Sequence, residues 1–155
     1  MNKSYLKIYN NLVNLTTNKK LYANLNEQDT FSDRLTLFLF HFAFLLKNLK
    51  DKENKKTLQE LYDFNFRQIE LSIREIGYGD QSINKKMKDY INLFHSMVSE
   101  IHFWEKLSYT EKLKKFSSFF NDFGDIEYLI DYFEKFNENL SKKTLNFYLK
   151  SVSNA

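Results

Sequence analysis

The chain has 155 residues, of which 43% are hydrophobic, 17% aromatic and 28% charged, enough apolar surface for one core and too much to leave the chain disordered. With no cysteine it has no disulfide, thiol nucleophile or thiolate metal site, and with no proline and only three glycines it lacks the turn punctuation of a multi-strand fold. The formal net charge of +3 is far below that of a dedicated nucleic-acid binder, so no specific DNA binding is expected.

An all-α fold is therefore predicted: a compact single-domain helical bundle of about 6–8 helices over 1–155. The opening "MNKSYLKIYNNLVNL" has neither the apolar core of a secretory signal nor the arginine bias of a transit peptide, and a cytoplasmic location is expected. Leu6, Tyr9 and Val13 recur at helical spacing over residues 4–15, and Leu21, Tyr22 and Leu25 suggest a short second helix. Thr30 with Asp33 three residues later has capping-box spacing and predicts a helix from Phe31. Its positions 35–46 are apolar on every face except at Thr36 and His41. Spanning a bilayer needs about 20 apolar residues, so this run reads as a central core helix over 31–50.

A helix over residues 55–76 places Leu58, Tyr62, Phe66, Ile69, Ile73 and Ile76 on one face, with Asp63–Arg67 and Glu70–Arg74 as acid-before-base pairs four apart. A second, over about 81–104, buries Ile83, Met87, Tyr90, Ile91, Phe94, Val98 and Ile101 and turns Lys85, Lys86, Lys88 and Asp89 outward. Between them Gly77 suits a left-handed helix stop, and Asp80 or Ser82 a cap for the next helix, so 55–104 forms a helical hairpin. Three short helices follow, with Ser108–Glu111 as a capping box, Gly124 as a stop and Asp125 and Ser141 as caps. Phe116, Phe119, Phe120, Phe123, Tyr132, Phe133, Phe136 and Tyr148 point inward.

No nucleophile, acid–base pair or metal-ligand spacing stands out, and the chain is not expected to be an enzyme or to hold a cofactor. His95 and His102, seven apart, are too widely spaced to hold one tetrahedral ion by themselves. His41 inside the apolar helix must find partners. A core histidine bonded to a backbone carbonyl or a tyrosine is the ordinary reading, and a buried functional group is the other. The Lys85, Lys86, Lys88 cluster is either a solvated face or a contact for an anionic partner such as lipid headgroups or ribosomal RNA.

The segments "LYANLNEQDTFSDRLTLFLFHFAFLL" and "SIREIGYGDQSINKKMK" resemble the ubiquinol–cytochrome c chaperone family of small helical proteins related to mitochondrial assembly factors for respiratory complex III. Ser72, Ile73, Arg74, Glu75, Gly77, Gly79, Asp80, Lys85, Lys86, Met87 and Lys88 fall at family-like positions, as do Leu21, Tyr22, Leu25, Asp29, Thr30 and Arg34. The resemblance covers about 20–105 and leaves 106–155 as a helical extension. It departs from the family at Asn84 and where the chain reads Phe94-His95-Ser96-Met97.

What the resemblance implies is an assembly chaperone for ubiquinol–cytochrome c reductase that binds newly made cytochrome b, with a second assembly factor or the ribosome as further partners. Partner contacts are expected at Arg34, Arg74, Gly77, Gly79, Asp80, Lys85, Lys86 and Lys88, in the cytoplasm or on the cytoplasmic face of the inner membrane. Two other readings stand beside it: a module that docks on an anionic membrane or a ribosome, and a haem or quinone carrier built around His41.

Overall fold

The computed structural model describes residues 2–22, 31–120 and 125–142. Its helices follow the periodicity of the sequence: α1 (Asn2–Thr16), α2 (Lys19–Tyr22), α3 (Phe31–Leu49), α4 (Lys55–Ile76), α5 (Asp80–Ile101), α6 (Tyr109–Phe119) and α7 (Ile126–Ser141). A 3₁₀ turn, Trp104–Lys106, separates α5 from α6. No strand occurs among the described residues, and no helix there is long and apolar enough to cross a membrane.

The apolar α3 is the axis on which the other helices pack. Every residue from Leu37 to Leu45 is buried, because α1, α5 and α7 enclose it on different sides. Phe42 stacks on Phe94 of α5, Phe44 stacks on Phe133 of α7, and Phe38 meets Tyr9 of α1. Phe40 collects Phe116, Phe119, Phe120 and Phe133, which joins α6 and α7 to the same core. Aromatic pairs at these separations add about 0.5–1.5 kcal/mol each beyond area burial.

Polar contacts fix the helices around that core. Lys47 Nζ donates to Glu105 Oε1 at 2.6 Å, Asn137 Nδ2 donates to the same oxygen at 3.0 Å, and Asn48 Nδ2 donates to Asn137 Oδ1 at 2.8 Å. Burial raises the Glu105 pKa, but the bonds from Lys47 and Asn137 outweigh it and hold the carboxyl below its ordinary value. Lys115 pairs with Glu100 and Lys112 with Glu134, tying α6 to α5 and to α7.

The helix ends confirm some expected caps and correct others. Ser108 and Glu111 form the reciprocal capping box, and Asp125 accepts from Tyr128 N at 3.0 Å. Asn54 caps α4 by accepting from Thr57 N, a cap the sequence reading passed over. Ser141, expected as a cap for a further helix, is the last residue of α7, its hydroxyl donating to the Glu138 carbonyl, and the residues such a helix would occupy fall outside the described ones. The fifth helix stops at Ile101, short of the expected 104. His102 and Phe103 form a turn, which lets Trp104 swing into the core to 1% exposure against Phe44. The Asp63–Arg67 pair is not formed; Asp63 accepts instead from Gln59. Expectations for Leu25, Asp29, Thr30, Phe123, Gly124 and Tyr148 fall outside the described residues.

Candidate functional site at the hairpin end

The chain order α3, turn, α4, turn, α5 makes each helix reverse on the one before. The start of α3, the end of α4 and the start of α5 therefore lie at one end of the molecule. Arg34 and Phe31 of α3 line a cleft of about 220 Å³ with Ile69 and Ser72 of α4 and Tyr9, Val13 and Thr16 of α1. Two residues beyond Ser72, Arg74 reaches across the turn and donates from Nη1 to Asp80 Oδ1 at 3.0 Å. Its Nη2 stands 3.9 Å from Glu70 Oε1, so the expected Glu70–Arg74 pair exists but at the limit of contact.

The two glycines of the turn differ in physical cause. Gly77 has φ +102°, the left-handed conformation that a Cβ opposes, and its N–H bonds to the Arg74 carbonyl at 3.0 Å to close α4. Gly79 has φ −72° and ψ 161°, extended backbone open to any residue, and a Cβ built there would meet nothing within 4 Å. Neither strain nor crowding within the chain calls for glycine at 79.

Asp80 and Ser82 do not cap α5, contrary to the expectation from spacing. Gly79 occupies the N-cap position with no side-chain bond, and Asp80 is the first helical residue, its carboxylate drawn to Arg74. A carboxylate at that position still faces the positive end of the helix. The Arg74 side chain is 44% exposed and that of Asp80 86%, so the pair is worth about 0–1 kcal/mol and contributes little to folding.

Lys85 and Lys88 are exposed on the first turns of α5, and half-buried Lys86 places its ammonium 4.5 Å from the centre of the Tyr78 ring. Around these charges stand exposed apolar side chains: Leu71 at 47%, Ile76 at 49% and Tyr78 at 43%. Ile76 was expected on the core face; it lies in the last turn of α4, beyond the reach of the core residues that cover Ile73. Leu71 escaped the sequence reading because it sits off the α4 apolar stripe, among charged neighbours. The structure thus gathers Arg34, Arg74, Gly77, Gly79, Asp80, Lys85, Lys86 and Lys88 at one end, with an apolar component that periodicity did not separate from core.

His41 is elsewhere, wholly buried between α3 and α7. Its Nδ1 lies 2.7 Å from the Leu37 carbonyl, which only accepts, so Nδ1 carries the proton and Nε2 accepts from the Tyr132 hydroxyl at 2.7 Å. Burial pushes its pKa down to about 4, against the smaller opposing effect of the Leu37 bond, and raises that of Tyr132. With Tyr132, Phe133 and Phe136 packed around the ring, neither nitrogen is open to a ligand. No group of three or more potential metal ligands gathers among the described residues.

A family model, Ubiquinol-cytochrome C chaperone, matches residues 23–102, which is 80 of the 155 residues and includes α3, α4, α5 and the turn between α4 and α5. No curated protein matches the chain, and no solved structure does.

Proposed function

The chain belongs to the ubiquinol–cytochrome c chaperone family, which supports a chaperone role in the assembly of respiratory complex III, and we propose that its client is newly made cytochrome b, held at the hairpin end. On this reading the protein catalyses no reaction. It covers apolar segments of the client with Leu71, Ile76 and Tyr78, and selects the client through Arg74, Asp80 and the lysines of α5. Exposed charged contacts give fast association and specificity more than tight affinity, which suits a factor that must release its client. It would work in the cytoplasm or on the cytoplasmic face of the inner membrane, where the client is made and inserted, and where a second assembly factor or the ribosome could share it.

The observation that carries the reading is Gly79. A glycine with no conformational or steric reason inside its own chain, beside an exposed Arg74–Asp80 pair, is accounted for by a partner that approaches the backbone closely there.

The test is complementation of a strain deleted for this protein, scored by complex III spectra and cytochrome b level. Wild type is expected to restore both, and the Arg74→Ala, Asp80→Ala double variant to restore neither while unfolding within about 1 kcal/mol of wild type. Full restoration by the folded variant would remove the hairpin end as the client surface. Normal assembly in the deletion strain would remove the client itself. Vesicles rich in anionic lipid form a further arm: salt-sensitive binding lost on neutralising Lys85, Lys86 and Lys88, with no effect on cytochrome b, would favour a membrane-docking role instead.

A further inference from the structure

The opposite end of the hairpin carries a second surface. Two adjoining depressions of about 510 and 640 Å³ share Leu46, Lys50, Asp51 and Leu58 and form one groove between the end of α3, the start of α4 and the end of α5. Half-buried Leu46, Leu58 and Val98 make the floor. The Tyr62 hydroxyl and His95 Nε2, 3.1 Å apart, close one end, and His102 stands at the other. Next to His102, with ring centres 4.5 Å apart, is Phe103, whose 58% exposure is the greatest among the exposed large hydrophobic residues described.

The chemistry of the rim points to the occupant. Lys47, Lys50 and Lys55 line the groove against one carboxylate, Asp51. Lys47 is held by Glu105, whereas Lys50 and Lys55 are exposed and join no ion pair among the described residues. An apolar floor under unpaired ammonium groups complements an apolar face with flanking carboxylates. The walls are helices and offer no strand edge, so an extended segment on this floor would leave its amides without a ladder to pair with, whereas a helix bonds its own. From His95 in α5 to His102, the residue just past its end, the backbone rises about 10 Å, two helical turns, the span over which a bound helix presents anchors at i, i+3 or i+4, and i+7.

We infer that this groove receives an amphipathic helix of a protein partner, apolar on one face and acidic along its flanks, separately from the surface at the Gly77–Gly79 turn. Some 18 residues of α4 separate Leu58 from Ile76, about 27 Å of helix, so the two surfaces can be occupied together. The inference does not rest on the identity of the client.

The test uses the full chain and two fluorescent synthetic amphipathic helices of about five turns with the same leucine face, one with glutamate and one with lysine at the flanking positions. The glutamate peptide is expected to bind about ten-fold or more tightly than the lysine peptide. Lys50→Glu with Lys55→Glu should reverse that preference, and Phe103→Ala should weaken the glutamate peptide. The lysines are exposed and join no ion pair among the described residues, so their reversal keeps the fold even if Phe103→Ala does not. Arg74→Ala with Asp80→Ala should leave peptide binding unchanged, which separates this inference from the client reading. Equal binding of the two peptides, or charge reversal without effect, would overturn the proposal. So would a dimer in sedimentation that dissociates on Lys50→Glu with Lys55→Glu, which would assign the groove to a second copy of the chain.

Discussion

His41 shows how much one residue in a string can disclose. Its place in an apolar run implied that it must find hydrogen-bond partners, and the partners are of the two ordinary kinds, a carbonyl one turn back and a tyrosine. What the sequence could not supply was which tyrosine, because Tyr132 lies 91 positions away. The consequence is a pH dependence with a definite sign. The folded pKa of about 4 lies below the ordinary 6.5, so the unfolded chain binds the proton more readily between these values. His41 therefore lends its full support above about pH 6.5, and stability falls as pH drops from there toward 4, by roughly 3 kcal/mol in all. Urea unfolding at pH 7.5 and 5 should show the loss in wild type and a smaller one in His41→Phe; an equal loss in both would place the titration elsewhere. Asn65 is the counter-example. It is wholly buried in α4 with neither amide atom bonded to a protein group, and in the sequence it looks like any other polar residue in an asparagine-rich chain.

At the scale of elements, α4 was legible to the residue because three signals coincide at its C-terminus: the apolar stripe ends, glycine follows, and arginine sits in the last turn. The start of α5 misled because Asp at N1 and Asp at N-cap look alike in a string, and only the pull of Arg74 on the carboxylate distinguishes them. The same turn yields a paired prediction. Gly77→Ala forces a Cβ into the left-handed region and should cost about 1 kcal/mol. Gly79→Ser meets open space at an N-cap geometry that suits serine, so it should be neutral or stabilise by a few tenths of a kcal/mol. Thermal or urea midpoints decide between them. If Gly79→Ser destabilised as much as Gly77→Ala, its glycine would be structural, and no close-approaching partner would be needed to account for it.

For the molecule as a whole, the matched region ends at residue 102, yet the core does not. The faces of α3 turned away from α1 and α5 are covered by residues of the C-terminal helices: Phe40 by Phe116, Phe120 and Phe133, and His41 by Tyr132. Trp104 fills the space beside Phe44, and Glu105 anchors Lys47 and Asn137. Periodicity announced these helices but not their necessity, since aromatic residues in short helices suit a client groove as well as a core, and only the packing shows Phe116, Phe120 and Phe133 buried. Ending the chain after Lys106 should therefore do more than remove an appendage. It strips one side of an all-apolar helix, leaving His41 without Tyr132 and several phenylalanines in water, at a cost of about 1.5–3 kcal/mol for each large side chain exposed. A domain stable by about 5–15 kcal/mol does not survive several such losses. The expected product keeps much of its far-ultraviolet helical signal, binds a hydrophobic dye and unfolds without a sharp transition, whereas the full chain unfolds cooperatively. A truncated chain with a sharp transition and no dye binding would instead make residues 1–106 self-sufficient, and would free the aromatic face of α7 for a partner.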